Sequence, residues 1–129
     1  MTSTSTATPT STVQATPADI VREYGPFPGA GRVNGVTHDG RHVWACVGAQ
    51  IVAFDPATGQ TTRTLERAGD AGTAFDGKHL YQIAEARIDK IDPATGAVLH
   101  SIPAPGNGAD SGLTWAEGSL WVGQYRDCK

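Results

Sequence analysis

Cysteine is scarce in this chain of 129 residues: Cys46 and Cys128 are the only two, and they form no CxxC arrangement. That is too few for the disulfide framework of a small secreted scaffold, so no disulfide is expected and stability must come from packing. Long apolar runs are missing as well, and nothing approaches the roughly 18 consecutive apolar residues of a membrane helix. The N-terminus also lacks the basic stretch and apolar core of a secretory signal, so a cytoplasmic location and no membrane partner are expected. Positive charge is in short supply, with 10 basic against 13 acidic residues and a net charge of −3. Without a basic footprint for a phosphate backbone, no nucleic acid partner is expected either.

What the chain does have is turn formers: 16 glycines and 8 prolines among 129 residues, with only 18% charged side chains. Such a composition suits a compact, turn-rich β domain rather than a coiled coil. Residues 1–18 stand apart. They begin MTSTSTATPTSTVQATP, which is nearly all Thr, Ser, Ala and Pro. Such a segment buries too little apolar surface to offset the entropy of ordering, and reads as a disordered tail. The remaining length supports one core and one domain.

Repetition organises that domain. At an offset of 37 residues, Gly35–Gly59 (GVTHDGRHVWACVGAQIVAFDPATG) matches Gly72–Gly96 (GTAFDGKHLYQIAEARIDKIDPATG) without a gap. A third copy starts at Gly112, with Trp121 at the position of Tyr81 and Trp44, and has no third DPATG. Pro26–Gly35 likewise matches Pro103–Gly112, which makes Ile20–Tyr24 the expected outermost strand of a unit whose other strands lie elsewhere.

Each unit reads as four short strands. Asp39-Gly40 and Asp76-Gly77 are tight-reversal signals, because Gly accepts a positive φ. In DPATG, Pro fixes φ, Asp and Thr can bond back to the backbone, and Gly takes the left-handed site. One carboxylate per loop is too few for calcium, and no metal site is expected. Alternation within the runs predicts half-buried strands. Four antiparallel strands per roughly 40 residues is the pattern of a β-propeller blade.

The expected fold is therefore all-β, a β-propeller with four-stranded antiparallel blades of which two and a half to three are present. The units are a tail over 1–18, an outermost strand of a closing blade within 19–32, blades at 33–69 and 70–109, and inner strands of a third blade at 110–129. Trp44, Tyr81 and Trp121, with His38, Phe75 and Trp115 on the preceding strands, are expected to pack blade against blade. Propellers close with four to eight blades, so the chain is expected to be a truncated propeller or the start of one, with open edges prone to self-association. Assembly of several chains into a ring is the alternative.

With G-x-x-x-D-G-x-H-[VL]-[WY] and I-x-x-[FI]-DPATG, residues 20–129 resemble the bacterial YVTN-type and PQQ-like β-propeller superfamily, which includes virginiamycin B lyase-like and glutamine cyclotransferase propellers. The segments His79–Glu85 and Ser111–Trp121 look somewhat like cyclotransferase strands, without that family's Glu-Gly-Leu and Trp-Gly-Leu signatures. Blade motifs are shared by proteins of unrelated function, and no catalytic residue is carried over by the resemblance.

Strand order sends the repeating Asp-Gly and DPATG turns to one end of the sheets and the varying loops to the other. Structural turns recur from blade to blade while ligand contacts need not, so the varying end is the expected place for a site. The candidates there are Asn34, Asp70, Glu85, Asp110, Ser111, Gln124, Tyr125 and Arg126. His38 and His42 are separated by a turn and lack a third ligand, and Ser111, His100 and Asp110 have no spacing that supports a triad. No phosphate loop or dinucleotide fingerprint is present, and no cofactor is expected. The function that follows is a ligand- or protein-binding propeller module, taking a small molecule or a peptide. A cyclotransferase-like or lyase-like enzyme is the alternative.

Overall fold

A computed structural model describes residues 14–29 and 31–126, and over these it is all-β, with no helix. Most of the Thr/Ser/Pro-rich tail, and Cys128, lie outside the described residues. Ten strands form: β1 (Gly35–His38), β2 (Val43–Cys46), β3 (Ile51–Phe54), β4 (Thr61–Leu65), β5 (Thr73–Phe75), β6 (Leu80–Ala84), β7 (Arg87–Ile91), β8 (Val98–Pro103), β9 (Asp110–Ala116) and β10 (Ser119–Gln124). They pair antiparallel in chain order into sheets of four, four and two strands. β1, β5 and β9 are neighbours, so the first strand of each sheet stands innermost and the sheets radiate as propeller blades do.

The repeated turns form by the same local chemistry in both complete blades. Asp39 Oδ1 accepts the amides of Arg41 and His42, and Asp39 Oδ2 accepts the Trp44 indole N–H at 2.8 Å. Asp76 does the same for Lys78, His79 and the Tyr81 hydroxyl at 2.9 Å. One carboxylate thus closes the reversal and fastens the aromatic of the following strand. In each DPATG turn the Asp carboxylate accepts the amide two residues on, Asp55 from Ala57 and Asp92 from Ala94, and Gly59 and Gly96 take φ of 75° and 78°.

Packing departs from the half-buried alternation that the sequence suggests. β3 is buried at all four positions, and β2 at three of its four. A blade's middle strands are covered on both faces by neighbouring material, so they read as continuous apolar runs rather than alternating ones. Trp44, Cys46, Ile51, Ala53 and Leu65 of the first sheet pack with Leu80 and Ile91 of the second. Ile83 and Ile88 pack with Leu113, Leu120 and Val122 of the third sheet, and Tyr81 stacks on Trp115 with ring centroids 5.8 Å apart. Trp44 and Tyr81 do join blade to blade, whereas Trp121 is 55% exposed because no sheet covers its face among the described residues.

In the two complete blades a glycine stands at or just before the start of the first strand. A Cβ on Gly35 would fall 2.6 Å from the Ala71 carbonyl oxygen, and one on Gly72 would fall 2.4 Å from the Leu113 amide nitrogen. Inner strands of adjacent blades approach so closely that only glycine fits.

Ile20–Tyr24 forms no strand, contrary to the sequence expectation. A strand needs a partner edge, and among the described residues the last sheet has no third strand for this segment to pair with. It docks by side chains instead. Tyr24 lies 4.8 Å from the Phe54 ring, Phe27 lies 5.4 Å from it, and Arg22 donates to the Pro56 carbonyl at 2.8 Å.

Candidate functional site

The strand order places the β2–β3 and β6–β7 loops and the segments leading into β1, β5 and β9 at the end opposite the repeating turns. There the three lead-in segments border a shallow, open hollow of about 360 Å³. Arg32, Val33 and Asn34 come from the first, Asp70 and Ala71 from the second, and Asp110 and Ser111 from the third, with Tyr125 beyond β10. An adjoining hollow of about 290 Å³ shares Asn34 and Asp70 and adds Glu85 and Arg87.

Its floor is rigid. Gln82 is fully buried; its carboxamide donates to the carbonyls of Ala71, Gly72 and Ile83 and accepts the Thr73 hydroxyl at 2.6 Å. A fully satisfied buried amide of this kind fixes the backbone that passes over it. Gly69 is pressed onto the same side chain, since a Cβ there would fall 2.3 Å from Gln82 Nε2. Cys46 is buried beneath, with its Sγ donating to the Gly69 carbonyl at 3.1 Å. Burial pushes the Cys46 thiol above its ordinary pKa, so it is held as an unreactive thiol.

The candidates divide by what their polar atoms already hold. Asp110 is buried, and its carboxylate accepts the amides of Gly106 at 2.7 Å and Gly108 at 3.3 Å, so it shapes its own loop. Ser111 donates to the Gly123 carbonyl, and Asn34 to the Gly69 carbonyl. Asp70 is exposed and spends one oxygen on the Glu85 amide at 2.9 Å. Tyr125 is 56% exposed, with the Arg126 guanidinium 5.8 Å from its ring centroid. Gln124 pairs with Asp110 at the end of β10, and neither Gln124 nor Arg126 lines either hollow.

Glu85 sits at the β6–β7 turn with φ of 56°, and its 83% exposed side chain meets Arg87 at 3.4 Å. That setting is open to solvent. Arg32 was not among the sequence candidates, although the register shows why it could have been. Its counterparts in the next two units are Gly69 and Ala109, so a charge appears there once only.

The turn end carries its own hollow of about 370 Å³, lined in part by Asp39, Arg41, His42, Trp44 and Arg63. Its polar groups are committed to structure, Asp39 to three N–H donors and Arg63 to the Pro93 carbonyl at 2.7 Å. Among the described residues no three His, Cys, Asp or Glu side chains gather as a metal-ligand set.

No family model matches the chain. No curated protein sequence matches it either. In three dimensions it is similar to the glutaminyl cyclase of Myxococcus xanthus, with a TM-score of 0.58, 15% identity, and coverage of 72% of this chain and 50% of that one. It is also similar to the hydrazine synthase of Kuenenia stuttgartiensis, with a TM-score of 0.57, 17% identity, and coverage of 77% and 32%. A third likeness, to U3-55K, has a TM-score of 0.55, 13% identity, and coverage of 75% and 37%. The chain spans half or less of the length of each. At such identities the likeness concerns architecture, and the chain is a β-propeller fold of two four-stranded blades and a two-stranded third sheet.

Proposed function

We propose that the chain acts as a ligand-binding propeller module, with its site in the hollow between the lead-in segments of the three sheets. One observation carries this reading: three inner-strand approaches converge there, with the Ala71 backbone held by the buried Gln82 carboxamide, and the side chains facing the hollow differ from unit to unit. Arg32 supplies a cation, Asp70 an anion with an oxygen to spare, and Tyr125 an exposed ring. A small polar molecule or peptide end bearing both charges suits this set, because convergent polar groups on a fixed frame give orientation at low entropic cost.

Thermal-shift screening of the full chain against amino acids and short peptides, followed by calorimetry on any hit, tests the proposal. Arg32→Ala and Asp70→Asn should each weaken binding by about tenfold or more, the range of one charged contact, while the melting temperature moves little. Binding that both variants leave unchanged would remove the site.

The likeness to a glutaminyl cyclase supports a second reading, cyclisation of an amino-terminal glutamine, on a chain that spans 50% of that enzyme. Product formed by the full chain and abolished in Glu85→Gln would displace the binding reading. The exposed, Arg87-paired setting of Glu85 argues against that outcome.

A further inference from the structure

The strand registers place a polar row across the second blade where the first has a mainly apolar one. Thr73, Gln82, Asp89 and Ser101 stand opposite one another from β5 to β8. The matching row of the first blade is Val36, Ala45, Val52 and Thr64. Gln82 and Asp89 lie two residues from Leu80 and Ile91, which pack on the first blade, so the polar row is turned toward that blade. Both blades are complete, and the arrangement is independent of the third sheet.

Asp89 is the one carboxylate in the row, and it is 4% exposed. Its Oδ1 accepts the Ser101 hydroxyl at 2.6 Å, and its two oxygens accept Arg87 Nε at 3.1 and 3.2 Å. Burying a carboxylate to pair it with a half-exposed arginine is weak support for stability, because desolvation offsets the attraction. An apolar residue of similar size serves the first blade at this position, Val52. A costly ion pair in one unit of a repeat is the kind of local departure that proteins retain at functional sites.

What the pair achieves is the placing of Arg87 where β7 begins. Its Nε is held by Asp89 and its Nη1 lies 3.4 Å from Glu85, while Nη2 makes no hydrogen bond among the described residues. Arg87 lines the hollow of about 290 Å³ together with Asn34, Asp70 and Glu85. The first blade has Gln50 at this place, so the cation belongs to one unit only of the two.

We infer that Arg87 is the carboxylate-recognising residue of the ligand site proposed above, with Asp89 as its positioning residue, and that the ligand is a small molecule with a free carboxylate, such as an amino acid or a dipeptide. The inference rests on that site and extends it into the adjoining hollow. The ligand carboxylate accepts from the terminal nitrogens of Arg87, and Asp70, which borders both hollows, receives the ammonium group. The carboxylates of Asp70 and Glu85 alongside disfavour a doubly charged anion such as phosphate. An arginine held from behind by a buried carboxylate has less side-chain freedom to lose on binding, which makes it selective for a planar acceptor.

Calorimetry on the full chain tests this, with the standard amino acids and the alanyl dipeptides each supplied as the free acid and as the C-terminal amide. Expected is binding of the free acid about tenfold or more tighter than of the amide, the range of one charged hydrogen bond. Asp89→Val, which installs the first blade's residue, should bring acid and amide together without lowering the melting temperature. Asp89→Asn keeps a partner for Ser101, removes the charge, and should give the same convergence should the valine variant melt early. Asp89→Val combined with Arg87→Gln restores the first blade's pair and should lose no more selectivity than Asp89→Val alone, since the two residues act as one unit. A merely structural Asp89 would weaken acid and amide alike and leave their ratio intact, which overturns the inference. Acid and amide bound equally by the unaltered chain, with both weakened by Asp70→Asn, also overturns it and leaves the site standing. Binding of neither form removes the site, and the inference with it.

Discussion

The first sheet and the third sheet carry one pattern in two settings. Trp44 and Trp121 hold equivalent places on the second strand, paired across to Thr37 and Thr114. Trp44 is 3% exposed against the second blade, whereas Trp121 is 55% exposed. Their indole nitrogens also find different partners. Trp44 donates to the Asp39 carboxylate, and Trp121, where the repeat has Ala116 instead of Asp, donates to the Ala116 carbonyl at 3.1 Å. The turns differ in kind too. Gly40 alone has positive φ in the first, while Glu117 and Gly118 both do in the third, at 56° and 74°. Hydrogen-bond closure of a reversal is thus a local property, satisfied by whichever acceptor is at hand. Burial belongs to the neighbour.

The largest test of that contrast is a matched pair of truncations. Trp44→Ala should cost about 3–5 kcal/mol, the usual loss for a buried Trp. Trp121→Ala should cost less than about 1 kcal/mol, as for an exposed side chain. Urea unfolding of the full chain measures both, and equal losses would mean that the third sheet is covered in solution.

A smaller effect separates the turns by pH. Burial pushes the Asp39 and Asp76 carboxyls up, but it is outweighed by hydrogen bonds from the His42, Arg41, His79 and Lys78 amides, from Trp44 and Tyr81, and by the nearby histidines. Both carboxyls end below the ordinary Asp value. Their stabilisation is therefore present above the unfolded Asp pKa of about 4 and is lost as pH falls through the lower folded values. At the alkaline end, burial first, then the hydrogen bond and charge of Asp76, push the Tyr81 phenol up to about 12. The folded state holds that proton more tightly, so the contribution is present below the unfolded Tyr pKa of about 10 and is lost as pH rises toward 12. Asp76→Asn should shrink the acid-dependent loss and let Tyr81 ionise at lower pH, as read by ultraviolet titration.

The smallest expected change comes from rebuilding the clamp where it is missing. Ala116→Asp with Glu117→Gly and Gly118→Lys copies the Asp-Gly-Lys turn of the second blade into the third sheet. One net hydrogen bond is worth about 0.5–1.5 kcal/mol, and a gain toward the lower end is expected because the site is exposed. A loss would mean that the two-residue reversal at Glu117-Gly118 is matched to the twist of β9 and β10.

Much of the fold is legible in the residues. Asp39, Asp76, the two DPATG segments and their glycines act within five or so positions along the chain, and their spacing alone implies antiparallel strands repeating as blades. Less of the site can be read this way. Asp110 and Asp70 look alike as single acidic residues in varying loops. Only the folded loop shows Asp110 bound to the amides of Gly106 and Gly108 and Asp70 with an oxygen to spare. Arg32 is visible in the sequence only as a place where the repeat fails to repeat.

What the sequence determined by itself is the repeating unit: where the chain reverses and which glycines close its turns. Those are short-range matters of φ, of a carboxylate within reach of the next amides, and of periodicity. The tertiary structure alone decided that Trp44 is buried and Trp121 is not, and that Ile20–Tyr24 lies docked by side chains without pairing. It also decided that, among the described residues, β8 is exposed along its length. Burial and strand pairing are relations between distant segments, set by whether a partner surface is there to be met.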